Sequence, residues 1–409
     1  MSCAARSPLA SRSCRPALLV SLRRMDRIRL VDADAGAIVA DAGCILADVQ
    51  AVAAEHGFAI PLGLGSEGSA TIGGLVSTNA GGVRALRHGV MRAQVLGLEV
   101  VLPDGRVWDG LRRVAKNNMG YDLKQLFIGG EGTLGVVTAA ALRIVPAWRQ
   151  VETAWLAVDS PAATLTLLHR LRAALGDLVV AFELVQRRGC DWALLRNPAL
   201  RVPDMGDHGW FVLAEFASSA ADFPIRTAVE QAIAQGFDDG VVRGGTLAEN
   251  ETQRRELWRI REMVVEGKIA QKPSVSVDVA VPLGAVPAFI DQASAAAERL
   301  LPGSQCLSVG HVGDGNIHFS VHRGAHAPAS LTAAGPSISA AIEAIVLSLG
   351  GSICAEHGVG RSMRDAVARA VGTVEIDLFR AVKRALDPAE AMNPGALVDM
   401  LGEAAPLSG

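Results

Sequence analysis

Two histidines flank an Asp-Gly pair in the stretch Gly310-His311-Val312-Gly313-Asp314-Gly315-Asn316-Ile317-His318-Phe319. Asp-Gly between apolar residues is a strong two-residue hairpin signal. With that loop, Gly313 pairs with Asn316, Val312 with Ile317 and His311 with His318, and both imidazoles lie on one face of the ribbon. Directly opposed residues have Cβ atoms about 5 Å apart. From there two ring nitrogens can reach one divalent ion at about 2.1 Å each. A third ligand is needed, and Glu356, followed by His357, supplies a candidate.

A second stretch, 62–82, sets seven glycines among aliphatics, hydroxyl residues and an amide. Such a segment lets backbone N–H groups approach a phosphate or a ring closely, with hydroxyls adding donors. The pattern G-x-G-x-x-G occurs formally at Gly63 to Gly68 and again at Gly130 to Gly135. A dinucleotide fingerprint needs a helix immediately after it. Gly73 and Gly74 would break a helix after the first match, and the second runs into Val136 to Val145, which reads as a strand. A nicotinamide-binding doubly wound domain is therefore not expected.

The elements that must position these residues fall into two blocks. From 28 to 148 short strands (Ala37 to Val39, Val95 to Leu102, Val136 to Val145) alternate with glycine turns, and one helix, Ile45 to His56, ends at Gly57. Pro146 closes this block. Longer elements follow: strands at Thr153 to Val158, Val179 to Leu184, Trp210 to Phe216 and Ser274 to Val281, with the hairpin at Cys306 to Val312 and Ile317 to Val321. Helices are expected after Asp159-Ser160-Pro161 to Leu175, and at Ala221 to Gln235, Glu249 to Gly267, Ala285 to Leu300, Leu331 to Leu349 and Glu375 to Leu386. This order is α+β with antiparallel strands.

A length of 409 residues favours two domains, and a hydrophobic fraction of 50% suffices for large cores. A net charge of -3 argues against a nucleic-acid partner. The six cysteines are scattered with no Cys-x-x-Cys, which suits a reducing compartment. No apolar run approaches the about 18 residues of a spanning helix. A cytoplasmic protein is expected, with peripheral attachment to the inner membrane compatible. Arg6, Arg12, Arg15, Arg23 and Arg24 among serines would instead fit a mitochondrial transit peptide. Against that, Ala17 to Leu22 reads as a strand, as if a fold had begun.

Several motifs together carry a resemblance. Thr71-Ile72-Gly73-Gly74, Thr78-Asn79-Ala80-Gly81-Gly82, Lys116-Asn117-Asn118-Met119-Gly120-Tyr121-Asp122-Leu123 and Gly129 to Thr138 resemble the flavin domain of the vanillyl-alcohol-oxidase type. The C-terminal half resembles the FAD-linked oxidase cap. Gly310 to His318, Ala355 to Gly360 and Asn393-Pro394-Gly395 resemble the D-2-hydroxyacid dehydrogenases, including the D-lactate and D-2-hydroxyglutarate enzymes. The fold so implied is an FAD-binding domain at 1–148, N-terminally incomplete, an α+β cap with an antiparallel sheet at 149–399, and a tail at 400–409.

The resemblance also implies roles. FAD would be lined by Gly43, Gly68, Ser69, Thr71, Gly74, Thr78, Asn79, Gly81, Gly82, Glu131, Gly135, Val136 and Thr138, with Asn393 reaching it from the cap. His311, His318 and Glu356 would hold a zinc-like divalent ion, His357 would be the general base, and Arg261 would clamp the substrate carboxylate. Such an ion, bound by three protein ligands, keeps positions open for the hydroxyl and a carboxylate oxygen of a 2-hydroxyacid and lowers the hydroxyl pKa. A neutral imidazole can take the proton while C2 delivers hydride to flavin N5. The electrons would pass to an electron-transfer protein, cytochrome or quinone. A homodimer is compatible with all of this.

The chain also departs from the family pattern. The family normally begins with a further segment whose Pro-x-Gly-Gly-x-Thr-type loop wraps the FAD pyrophosphate. Gly130 stands where serine is usual, Met119 where threonine is common, and His88 where tyrosine often precedes Gly89. The animal 2-hydroxyglutarate enzymes tend to carry a lysine near Ser276. Two rival readings remain: a flavin-fold transferase related to alkylglycerone-phosphate synthase, and a non-catalytic subunit of a multi-component oxidase. For Arg261 the alternative is a solvated basic face shared with Arg254, Arg255 and Arg259.

Overall fold

Short apolar strands punctuated by glycine turns assemble into two large antiparallel sheets and a two-stranded one in the computed structural model, which describes residues 18–400. The first sheet orders Ile28–Asp32, Ala37–Asp41, Val136–Arg143, Val95–Val101 and Val107–Gly110 from edge to edge. Ile38, Ala40, Leu98, Val100, Ala140 and Leu142 form its buried layer, joined by Leu46, Val49 and Ala53 of the helix Leu46–Glu55. The second glycine match leads into a strand, as expected. The first does not behave as expected, because Ile72–Ser77 is a short helix with both glycines inside it. The Thr71 hydroxyl accepts from the Gly74 amide at 3.3 Å, capping its start. Gly73 earns its place by close approach: its amide donates to the Ala42 carbonyl at 2.8 Å, and a Cβ there would sit 2.8 Å from that of Ala42.

The second sheet has seven strands in the order Gly244–Leu247, Gln150–Val158, Trp210–Ser218, Val179–Gln186, Gln305–Gly310, Asn316–His322 and Ser274–Ala280. Strand residues alternate between its faces. Val212, Ala214, Phe216, Ile317, Phe319 and Val321 meet the helices Pro161–Leu175, Ile225–Asp238, Val286–Leu300 and Pro328–Ser348. Phe211, Leu213, Leu307 and Val309 meet Arg187–Arg196 and Glu251–Ala270 on the other face. Because Val309 lies opposite His318, the histidine shares that second face.

Two expectations are corrected. Residues 18–22 form no strand, and Leu18 and Leu19 are exposed, so the fold begins later; Ala17 and the arginines before it lie outside the described residues, as does almost all of the tail. Pro328–Ser348 is long and apolar enough to cross a membrane by composition, contrary to the run-length reading, yet its Leu331, Ile338, Ile342 and Val346 are buried against the sheet. Finally, the last helix, Thr373–Leu386, returns to the first unit, packing Val382 and Leu386 on that core. Its buried Lys383 donates to the Thr133 carbonyl at 2.7 Å and pairs with Asp387.

His88 closes the turn Ala85–His88 with its ring 6.0 Å from Trp148 and its Nε2 buried without a partner among the described residues. Burial first, then the charges of Arg87 and Arg84, lower its pKa to about 4. Between pH about 6.5 and about 4 the unfolded chain binds a proton that the folded chain refuses, so stability falls as the pH falls through that window. His88→Tyr should remove about 1–3 kcal/mol of this acid sensitivity, read as a smaller drop in Tm between pH 7 and pH 4.5 (about two and a half units). An identical drop in both proteins would refute it.

Candidate active site

The two histidines meet, though by a different route from the one the Asp-Gly pair suggests. Strands Gln305–Gly310 and Asn316–His322 pair with Val309 opposite His318 and Ser308 opposite Phe319. The expected pairs Gly313–Asn316, Val312–Ile317 and His311–His318 do not form. Residues 311–315 make a longer link with a helical turn over Val312–Asp314 and Gly315 at φ 84. A Cβ at Gly315 would lie 2.3 Å from the Val281 carbonyl oxygen, so only glycine turns the chain here. His311 thereby leaves the strand and folds back, placing its ring centroid 5.6 Å from that of His318 at an interplanar angle of 80°.

Both Nε2 atoms face Glu356: His311 Nε2 lies 3.6 Å from Oε1 and His318 Nε2 3.7 Å from Oε2. Two ligands on one tetrahedral ion at 2.1 Å stand about 3.4 Å apart, so this donor set fits a single divalent cation. The opposite ring nitrogens are held by carboxylates. Glu183 Oε1 accepts from His311 Nδ1 at 2.6 Å, and Asp278 Oδ1 faces His318 Nδ1 at 3.3 Å. A carboxylate behind each histidine fixes the tautomer that turns Nε2 toward a metal. Neither acid was foreseen. The available signal was a single acid inside each of the apolar strands Val179–Gln186 and Ser274–Ala280.

These acids set the local electrostatics. Burial opposes the charge on Glu183, but His311 and Arg261 outweigh it and hold its carboxyl below the usual range. Burial likewise opposes a charged His311, and Glu183 overcomes it, raising the imidazole to about 9. Asp278 is depressed in the same manner, burial being overcome by the hydrogen bond and charge of His318. Burial raises Glu356 and lowers His318. A bound proton on His311 thus stands where a metal's charge would act.

His357 is 72% exposed at its side chain, stacks 5.8 Å from His318, and has Nδ1 3.3 Å from Asp278 Oδ2. The same Oδ2 accepts the amides of Glu356 and His357 at 2.9 and 3.0 Å, so one carboxylate positions Glu356, His357 and the turn between them. Arg261 is buried and donates Nε to Glu183 Oε2 at 3.0 Å. Its terminal nitrogens make no hydrogen bond among the described residues. The solvated-face alternative therefore fails for Arg261, while Arg254 and Arg255 pair with Glu251.

The residues expected around FAD divide into two sets. Gly68, Ser69, Gly74 and Thr78 are exposed beside the half-buried Thr71, an open strip of backbone and hydroxyl groups. Thr78, Asn79 and Glu131 line a cavity of about 900 Å³ between the two units, together with Glu356, a size that suits a cofactor-scale ligand. Gly81 lies against the cluster, since a Cβ there would sit 2.7 Å from Glu356 Oε1. These features fit the FAD that such a domain would hold. The others are engaged in packing. Gly43 is covered by the Leu22 and Met25 carbonyls, Gly82 by the Gly63 carbonyl, and Gly135 by Val100 and Val101. Val136 pairs with Val101, and Thr138 donates to Glu99 at 2.7 Å. Glu131 accepts the amides of Val359 and Gly360 at 2.6 and 2.8 Å, and Asn393 donates to the Glu131 carbonyl at 2.8 Å.

A two-domain flavoprotein of mixed helices and antiparallel sheet, with a histidine-carboxylate cluster at the junction, is the class that this fold and site define. Sequence models described as FAD linked oxidases, C-terminal domain, and as FAD binding domain match residues 148–397 and 3–110. The chain belongs to the FAD-linked oxidase family. It is 35% identical to D-2-hydroxyglutarate dehydrogenase, mitochondrial, of Bos taurus over 92% of this chain and 68% of that protein. It is 32% identical to a D-2-hydroxyglutarate dehydrogenase of Xanthomonas citri pv. viticola over 93% of this chain and 80% of that protein. The chain spans about two thirds of the length of the plant and mammalian relatives it matches. Among solved structures, p-cresol methylhydroxylase superposes with a TM-score of 0.70 at 16% identity over 93% of this chain and 80% of that one. Alkyldihydroxyacetonephosphate synthase superposes at 0.64 with 15% identity, covering 91% and 66%. Both likenesses concern the fold alone.

Glu183→Gln and Asp278→Asn keep the shapes of these side chains and remove the charge behind each histidine. Zinc affinity should fall about 10- to 100-fold in each variant, measured by competition with a chromophoric chelator. Unchanged affinity in both would mean that the carboxylates do not orient the ligands.

Proposed function

We propose that this chain catalyses the FAD-dependent, metal-assisted oxidation of a small D-2-hydroxyacid to the 2-oxoacid. The observation that carries this reading is the meeting of His311, His318, Glu356 and His357 against Gly81 of the glycine-rich segment. The names of the bovine and bacterial relatives support the reaction class. A zinc-like ion held by His311, His318 and Glu356 would supply a Lewis acid for the hydroxyl oxygen. FAD, when bound, supplies the two-electron acceptor, with Gly68, Ser69, Thr71, Gly74 and Thr78 as its open contacts.

The chain's own residues do the rest. Arg261, its Nε fixed by Glu183, presents its terminal nitrogens to the C1 carboxylate as a planar fork. His357 Nε2 takes the hydroxyl proton as the C2 hydrogen departs with its electron pair. Asp278 holds the His357 Nδ1–H and stabilises the imidazolium that results. Exposure of His357 lets that proton pass to solvent. An electron-transfer protein, cytochrome or quinone would take up the electrons. The transferase and scaffold readings leave this ligand set and its two supporting carboxylates without a task.

Reconstitution with FAD and addition of D-lactate or D-2-hydroxyglutarate should bleach the oxidised flavin's visible absorbance. A chelator should stop this and zinc or manganese restore it; chelator-insensitive bleaching would remove the metal from the reaction. His357→Ala should retain bound flavin and lose about 100-fold or more in bleaching rate. Undiminished bleaching in that variant would refute the base assignment.

A further inference from the structure

The turn that carries Glu356 and His357 belongs to no strand or helix, so its backbone must be satisfied by other means. Four of the five amides of residues 356–360 donate to two carboxylates. Asp278, on the cap's own sheet, takes the first pair. Glu131, which comes from the flavin-binding unit, takes Val359 at 2.6 Å with Oε1 and Gly360 at 2.8 Å with Oε2. Between the two pairs Gly358 turns the chain at φ 77, and a Cβ there would lie 2.8 Å from Glu131 Oε1. Each unit therefore holds one half of the turn.

Glu131 is itself firmly seated. Its amide donates to the Ser77 carbonyl at 2.8 Å and that of Gly129 to the Val76 carbonyl at 3.0 Å, so the last carbonyls of the helix Ile72–Ser77 fix this segment. From the cap, Asn393 donates to the Glu131 carbonyl at 2.8 Å, and the Leu397 amide to the Gly360 carbonyl at 2.9 Å. Glu131, Asn393 and Leu397 have φ of 49, 39 and 62. Residues with side chains hold that left-handed backbone only where the surrounding contacts over-determine it, which happens most at functional sites. Here three of them surround one turn. Both Glu131 carboxylate oxygens face that turn, although the family resemblance places this residue at FAD.

We infer that Glu131 is a positioning residue that acts toward the cap rather than toward the flavin: through the Val359 and Gly360 amides it sets the place of Glu356 as a metal ligand and of His357 as a base. This rests on the roles proposed above for those two residues. The flavin-binding unit thereby fixes the geometry of groups that the cap carries, and the set is complete only with the two units docked. No bond to Glu131 is made or broken in the reaction.

The test uses the full chain loaded with FAD, in wild-type, Glu131→Gln and Gly358→Ala forms. Glutamine keeps the shape but turns one acceptor into a donor facing an N–H, and alanine pushes the turn off an intact carboxylate. Both should lower zinc affinity about 10- to 100-fold and kcat about 10- to 100-fold, with FAD affinity unchanged. With cobalt in place of zinc, the visible bands, which report ligand geometry, should shift in both variants. A lower Tm with the bands and kcat in place would make Glu131 merely structural and overturn the assignment. So would a loss of FAD affinity in Glu131→Gln without loss of metal affinity, which returns the residue to the flavin. Hydrogen exchange over residues 355–361 gives a readout free of metal and turnover: it should be slow in the wild type and faster in both variants, and equal exchange in all three overturns the hold on the turn. If the wild type binds no cobalt while exchange still depends on Glu131, the metal reading fails and the hold of Glu131 on His357 stands.

Discussion

Two buried carboxylates must be paired, and that requirement organises the site. Glu183 is fully buried in its strand and Asp278 nearly so. An ionised carboxylate in such surroundings persists only where hydrogen bonds and opposite charge compensate its lost hydration. Glu183 finds His311 and Arg261; Asp278 finds His318, Asn316 and the amides of residues 356 and 357. The partners that each acid gathers are the groups that would hold the ion, the substrate and the proton. Stability and chemical preparation are here the same set of contacts.

The junction between the two units obeys a similar rule. Glu131 satisfies two backbone amides of the 359–360 turn, Asn393 returns a hydrogen bond to its carbonyl, and Gly81 admits Glu356 because it has no Cβ. Residues expected around the flavin thus also build the contact between its domain and the cap. A glycine that lets a cofactor approach and a glycine that lets another backbone approach look alike in a sequence. Gly43, Gly82 and Gly135, which the family resemblance assigns to the cofactor, also lie close against neighbouring residues of the fold.

Most of the long elements were legible because their apolar period is strong. Pro161–Leu175, Val286–Leu300 and the strands around Trp210 and Val179 lie within a few residues of their expected bounds. Less legible were features set by tertiary contact. The helix Ile72–Ser77 forms in spite of two glycines, capped by Thr71 and packed closely on Ala42 through Gly73, and the helix Arg187–Arg196 was missed because its first turn is charged. In the histidine hairpin, Asp-Gly was recognised as a turn, but the register was set by the cores on each sheet face. The convergence survived that shift because His311 reaches back from the turn. Burial decided Arg261, and spacing alone could not reveal which arginine of that helix faces inward.

The path of the chain has a mechanical result. It crosses from the first unit to the second near Gln150 and comes back with Thr373–Leu386, whose Lys383 is buried against Thr133. The cap is therefore threaded to its neighbour at both ends, like a buckle fastened on two straps. A single swivel at either connection thus cannot part the halves.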